Sequence, residues 1–538
     1  MNKIEANLVD IISTEIFPAR LFWEEGRICK IEKINKKMKN CLIPGFVDAH
    51  IHIESSLLTP VEFGKKAVQH GTVAVVADPH EIANVLGIEG VKFMIENGKR
   101  SPLKFFWGAP SCVPATTFET SGAELGQAEI EELLKMNEIT HLSEMMNYPG
   151  VIFGDEIVLK KIEIAKKLYK PIDGHAPGLS GEDLKKYVKA GISTDHECFT
   201  QQEALEKLAL GMKILIREGS ASKEFDELIP IAKNNFNNCL FCSDDLHPHD
   251  LQKGHINLLV KRALKSGLDI FKVLKMASQN PAKHYKLEIG LLQIGDPADF
   301  LVVDDLQNLH ILETYIDGEP TIEYTDDQFA VETKNKFNTK PKTIEDFQIP
   351  AKTGKIRIIE AKDRRLITGS KLVKPLIRNG FAVADPKRDL LKIAVVNRYQ
   401  NVKPALGFIH GFGLKSGAIA SSVAHDSHNI IAIGVDDNSV LKAVNTLIAN
   451  KGGICTVDAD SAEILPLPIA GIISDKSCTE VAEKYEILEE KAKDLGCKLT
   501  APFMTMSFMA LLVIPELKMS DKGLFDGTKF EFVDLWID

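Results

Sequence analysis

The stretch CLIPGFVDAHIHIESS (Cys41–Ser56) ends an apolar run with His50 and His52 one residue apart. Side chains in a strand alternate between faces, so both imidazoles would lie on one side, where they could share a metal ion. A strand that merely carries two histidines would look the same. Other segments separate the two readings. DPHE (Asp78–Glu81), Glu144, His175, Asp195–His196 and Asp244–Asp245 each follow an apolar stretch that reads as a strand. Ordinary hydrogen bonding explains one such histidine, but it does not explain four histidines and several carboxylates at successive strand ends. Imidazole and carboxylate together suit zinc, manganese or iron(II), and a bridging carboxylate suits a two-metal site.

These residues need elements that bring strand ends to one place. Candidate strands occupy 42–47, 72–77, 104–109, 138–143, 170–174, 191–195, 212–217 and 238–242. Amphipathic stretches such as SGAELGQAEIEELLKM and DEIVLKKIEIAKKLYK separate them and read as helices. Alternating strands and helices predict parallel βα units. The span from Pro44 to Pro281 is close to the ~250 residues of a (β/α)8 barrel, whose functional groups gather at the C-terminal ends of its strands. A doubly wound open sheet is the alternative, although no glycine-rich nucleotide loop follows the first strand.

The expected fold is therefore α/β: a TIM-like (β/α)8 barrel over 44–285, with a small β domain split between 1–43 and 286–325. A polar linker over 326–350 and a C-terminal α/β domain over 351–538 complete the chain. In the N-terminal part, Glu25-Gly26 reads as a hairpin turn.

With 44% hydrophobic and 26% charged residues, the composition is that of a globular protein. The net charge of −10 and the lack of any basic block exclude a nucleic-acid footprint. MNKIEANLVDIISTEIF scatters acidic residues through its apolar ones and is not expected to be a signal peptide. APFMTMSFMALLVIP is shorter than the ~18 residues of a membrane span and reads as a buried helix, so no membrane association is expected. Nine cysteines suit reduced thiols in a cytoplasmic protein. Cys239 and Cys242, three apart in a strand, point to opposite faces and do not form a redox pair. His52-Ile53-Glu54 with this C-x-x-C is a poor match to the single-zinc H-x-E…P-C-x-x-C site, because Asn238 replaces the proline. GFGLKSGA (411–418) lacks the G-K-[ST] of a phosphate-binding loop.

PGFVDAHIHIE, the later His175, His196 and Asp244, and the closing IGDPADFLVVD resemble the amidohydrolase superfamily of metal-dependent hydrolases. More narrowly, DAHIHIESS, DPHEIANVLG, HGFGLKSGAIASSVAHDSHNI and FMTMSFMALLVIPELKMSDKGLFD resemble the bacterial and archaeal adenine deaminases, over nearly the whole chain. The resemblance implies that His50, His52 and Asp244 hold one ion and that His175 and His196 hold a second. It places a bridging glutamate at Glu144, where many relatives carry a carboxylated lysine. It further implies two manganese or iron(II) ions in preference to zinc, hydrolysis of adenine to hypoxanthine and ammonia, and a homo-oligomer such as a dimer. Asp244 would move the proton from the attacking hydroxide to the leaving amine, and Glu81 would protonate the ring. As a carboxylate in a helical first turn, Glu81 could equally be structural. His425, Asp426 and His428 are expected on a loop near the barrel mouth, with a further metal site as the less favoured reading. Cyclic-amide hydrolysis or amino-sugar deacetylation is the alternative activity, and a non-catalytic barrel is a second.

Overall fold

TVAVVA (Thr72–Ala77) is buried at every position, as a parallel strand with side chains packed on both faces must be. In the computed structural model, which describes residues 1–321, 333–363 and 365–537, it is one of eight parallel strands. The others are Phe46–Ile51, Lys104–Ala109, Ile139–Met145, Ile172–Gly174, Thr194–Asp195, Lys213–Arg217 and Cys239–Cys242. The first five pair in chain order as one ladder, and the last three pair as another. Backbone bonds bridge both seams. Ser193 N donates to Ile172 O at 2.9 Å on one side, and Asp244 N donates to His50 O at 3.0 Å on the other. The strands thus form the expected barrel rather than an open doubly wound sheet.

Local chemistry trims several predicted elements. Gly191, at φ 117°, holds a left-handed turn that shortens the expected strand 191–195 to Thr194–Asp195. The helix read into SGAELGQAEIEELLKM spans only Gln127–Leu134, started where the Glu129 carboxylate accepts from Gly126 N at 2.9 Å. Asp155 opens the next helix, Glu156–Lys167, by accepting from Ile157 N and Val158 N.

Seven strands from both ends of the barrel segment form one further sheet. In spatial order they are Glu319–Pro320, Ile311–Ile316, Phe300–Val303, Cys41–Pro44, Asn2–Asp10, Glu15–Glu24 and Arg27–Lys33. The hairpin at Glu25-Gly26 joins the last two. Trp23 locks this sheet, packing on Phe300 and Tyr315 and donating from its indole to Gly318 O at 3.0 Å.

The C-terminal region builds a nine-stranded mixed sheet, with helices Asp437–Asn450 and Cys478–Asp494. Of the expected linker, residues 326–332 lie outside the described residues. The rest is tied down: Asn338 N donates to Arg398 O at 2.7 Å, and Ile349–Pro350 pairs with Phe381–Val383. APFMTMSFMALLVIP is buried almost throughout, but only Pro502–Ser507 is α-helical, followed by a 3-10 turn at Phe508–Ala510. No helix among the described residues is long and apolar enough to cross a membrane.

Candidate metal centre

The ends of the barrel strands converge as their spacing predicts. Nε2 of His50 and Nε2 of His52 lie 3.2 Å apart, and Asp244 Oδ1 lies 3.4 and 3.2 Å from them. Glu144 faces two ways. Its Oε1 is 3.3 Å from His52 Nε2, and its Oε2 is 2.6 Å from His175 Nδ1 and 3.2 Å from His196 Nε2. All six side chains are buried. The donors therefore fall into two groups, with the Glu144 carboxylate between them.

Imidazole and carboxylate donors at these separations, in a buried site, fit a divalent metal. Burial alone would push the carboxyls of Asp244 and Glu144 up. His50, His52 and Arg217 around the first, and His175, His196 and His52 around the second, hold both well below the usual range. Both thus stay ionised, the state in which a carboxylate can bind a cation.

The backbone contributes to this placement. Asp244 sits at φ 57°, an uncommon conformation for a residue other than glycine. It is held there by its own N–H to His50 O and by His52 N–H to its carbonyl at 3.3 Å. The strain falls at the residue where the barrel closes, within the donor group of His50 and His52.

Around this centre the structure adds residues that the sequence reading did not single out. His80 Nδ1 lies 3.1 Å from Asp78 Oδ2 and 3.5 Å from Glu144 Oε1. Arg217, the last residue of its strand, reaches Asp244 Oδ2 at 2.8 Å, Glu224 at 2.9 Å and both oxygens of Glu197. Both additions were open to the strand-end rule, since DPHE follows the second strand and MKILIR closes the seventh. Glu54, Ser55 and Ser56 form a 3-10 turn. There Glu54 accepts from Ile82 N at 3.1 Å, and Ser55 Oγ donates to Asp245.

Glu81 lies at the same mouth, against Nδ1 of His425 and Nε2 of His428. Burial would raise its carboxyl, but His425, His428 and His80 hold it well below the ordinary range. The loop carrying His425, Asp426 and His428 therefore does reach the barrel. With Leu366, Phe508 and Leu511, also C-terminal, its His425 and Asp426 line a small cavity that the donor groups share.

Barrel, split sheet and paired donor groups define a metal-dependent hydrolase. Residues 41–333 match the amidohydrolase family, and the chain belongs to it. Within that family it is a member of the adenine deaminases, since residues 365–531 match the adenine deaminase C-terminal domain and full-length relatives carry that name. It is 56% identical to an adenine deaminase from Sulfurovum sp. (strain NBC37-1), over 99% of each chain. It is 51% identical to one from Salinibacter ruber, covering 100% of this chain and 99% of that one. Among solved structures, N-acetylglucosamine-6-phosphate deacetylase from Thermotoga maritima aligns over 60% of this chain and 99% of its own. Its TM-score is 0.44 and its identity 18%.

Proposed function

We propose that this chain hydrolyses adenine to hypoxanthine and ammonia. The observation that carries the reading is the Glu144 carboxylate facing two imidazole groups, in a chain alike over its full length to proteins named adenine deaminase. His50, His52 and Asp244 would hold one cation and His175 and His196 the other, with Glu144 shared. Manganese or iron(II) suits this donor set. Such ions lower the pKa of water and so supply a nucleophile at neutral pH.

The chain's own groups do the rest. Asp244 Oδ1, on the side of His50 and His52, accepts the nucleophile's proton and delivers it to the departing amine, while Arg217 occupies its other oxygen. The proton that the ring nitrogen needs as aromaticity is lost rests on His425, whose imidazolium the Glu81 carboxylate holds charged up to about 9, and Glu81 relays it to the ring. Assistance of this kind is worth roughly 10²–10⁴-fold. Phe508, Leu366, Leu511 and Met146 form apolar walls that exclude water from the base.

Purified protein loaded with manganese or iron(II) should convert adenine to hypoxanthine, followed by ultraviolet absorbance. Inertness towards adenine, together with hydrolysis of a cyclic amide or an N-acetyl amino sugar, would overturn the reading.

A further inference from the structure

Asp426 comes from the C-terminal region, yet it lines the cavity over the barrel's donor groups. It is 3% exposed, and its Oδ2 has no hydrogen-bond partner. Its other oxygen is 4.0 Å from His80 Nε2 and 4.0 Å from His425 Nδ1, too far for a hydrogen bond to either. A buried carboxylate oxygen without a partner is costly, and in a substrate cavity it is an acceptor waiting for a donor.

The loop around it is fixed from several sides. His425 and His428, which flank Asp426, both lie against Glu81 of the barrel. His428 N donates to Ala424 O at 2.7 Å, and Tyr399 Oη donates to Ser427 O at 2.6 Å. Asn429 Nδ2 reaches Thr120 O at 2.8 Å, tying the loop to a barrel segment. The acceptor is therefore preorganised rather than free to turn away.

A free purine base offers N–H donors on its exocyclic amine and on its imidazole ring. The amine leaves in the reaction, and the imidazole N–H is absent when N9 bears a sugar. Resting on the adenine reading above, we infer that Asp426 is the group that selects the free base, by accepting the imidazole N–H of adenine. A nucleoside would leave this carboxylate buried and unpaired in the complex. A site built around such a bond rejects an analogue lacking the donor by up to about 10⁴–10⁵-fold, far more than an apolar pocket rejects extra atoms.

The test compares adenine with 9-methyladenine, which lacks the imidazole N–H but adds only one carbon. Manganese-loaded wild type, Asp426→Ala and Asp426→Asn are assayed on both, with metal content measured for each. The wild type should prefer adenine by at least about 10³-fold in kcat/KM. D426A should lose about 10²-fold on adenine, mainly through KM, and keep its rate on 9-methyladenine, so that the preference falls by about a hundredfold. D426N, whose amide oxygen still accepts a hydrogen bond, should recover part of it. An unchanged preference in D426A would mean exclusion by the apolar walls alone and would overturn the inference. So would loss of metal from D426A, which would make Asp426 a ligand. Adenine left intact by the metal-loaded wild type would overturn both the inference and the reading beneath it.

Discussion

Arg217 holds one oxygen of Asp244 and leaves the other to His50 and His52. Nη1 of Arg217 lies 2.8 Å from Asp244 Oδ2, while Asp244 Oδ1 lies 3.4 and 3.2 Å from His50 and His52. The guanidinium is 1% exposed and is also paired with Glu197 and Glu224. Removing it leaves the buried Asp244 and Glu197 and the half-buried Glu224 without their shared cation. Arg217→Met should therefore lose about 3–5 kcal/mol of stability, read from chemical denaturation. Metal affinity should fall about 10–100-fold if the arginine orients Asp244 as the ligand proposed above. Arg217→Lys keeps the charge but not the forked geometry, and should fall between the two. A metal-replete R217M with wild-type stability would refute this role.

Metal removal should destabilise the protein. The four histidines and two carboxylates brought together at the barrel mouth are better matched with cations than without them. A ligand present at 1,000 times its Kd stabilises a native state by about 4 kcal/mol. A chelator should lower Tm, and manganese or iron(II) should restore it more fully than magnesium, which favours oxygen donors. Glu144→Gln, which weakens the shared ligand, should reduce both metal content and the Tm response. A Tm indifferent to chelation would contradict a two-metal centre.

Glu81→Gln separates a chemical role from a structural one. If Glu81 delivers a proton, kcat should fall about 10²–10⁴-fold with both metals retained and KM little changed. If it only anchors His425 and His428, Tm should drop instead, and kcat should follow the folded fraction.

Lys518 predicts a pH dependence. Its amine is wholly buried, donating to Leu366 O at 2.7 Å and Phe508 O at 3.0 Å, the backbone of two residues that wall the cavity. Burial pulls it from 10.5 down to about 7. Between those values the unfolded chain binds a proton that the native chain does not, so native stability should rise with pH across that window. The gain is about 1.4 kcal/mol for each unit separating the two pKa values. Lys518→Met should flatten this rise in denaturation experiments between pH 7 and 10. It should also raise KM for adenine, because the two wall segments lose their common anchor. An identical pH–stability curve in K518M would remove the lysine from this account.

The barrel and the gathering of the candidate metal donors were legible because both follow from short-range rules. Period-two placement puts His50 and His52 on one face, and βα alternation delivers Glu144, His175, His196 and Asp244 to a common end. Each donor's place depends only on its own strand and the barrel's closure. The same rule reaches Arg217 and His80, but a strand-end arginine or a histidine opening a helix has many uses, and only proximity to Asp244 and Glu144 singles them out.

What the sequence determined by itself is the local part: which segments form strands, which faces their side chains take, and so which donors the barrel must gather. What the tertiary structure decided is the roof over them. His425 meets Glu81 across 344 positions of chain, and the Leu366 and Phe508 segments share one buried lysine. No periodicity relates such residues. They meet because apolar surfaces of the barrel and the C-terminal region are buried against each other, and that packing aims Asp426 at the cavity.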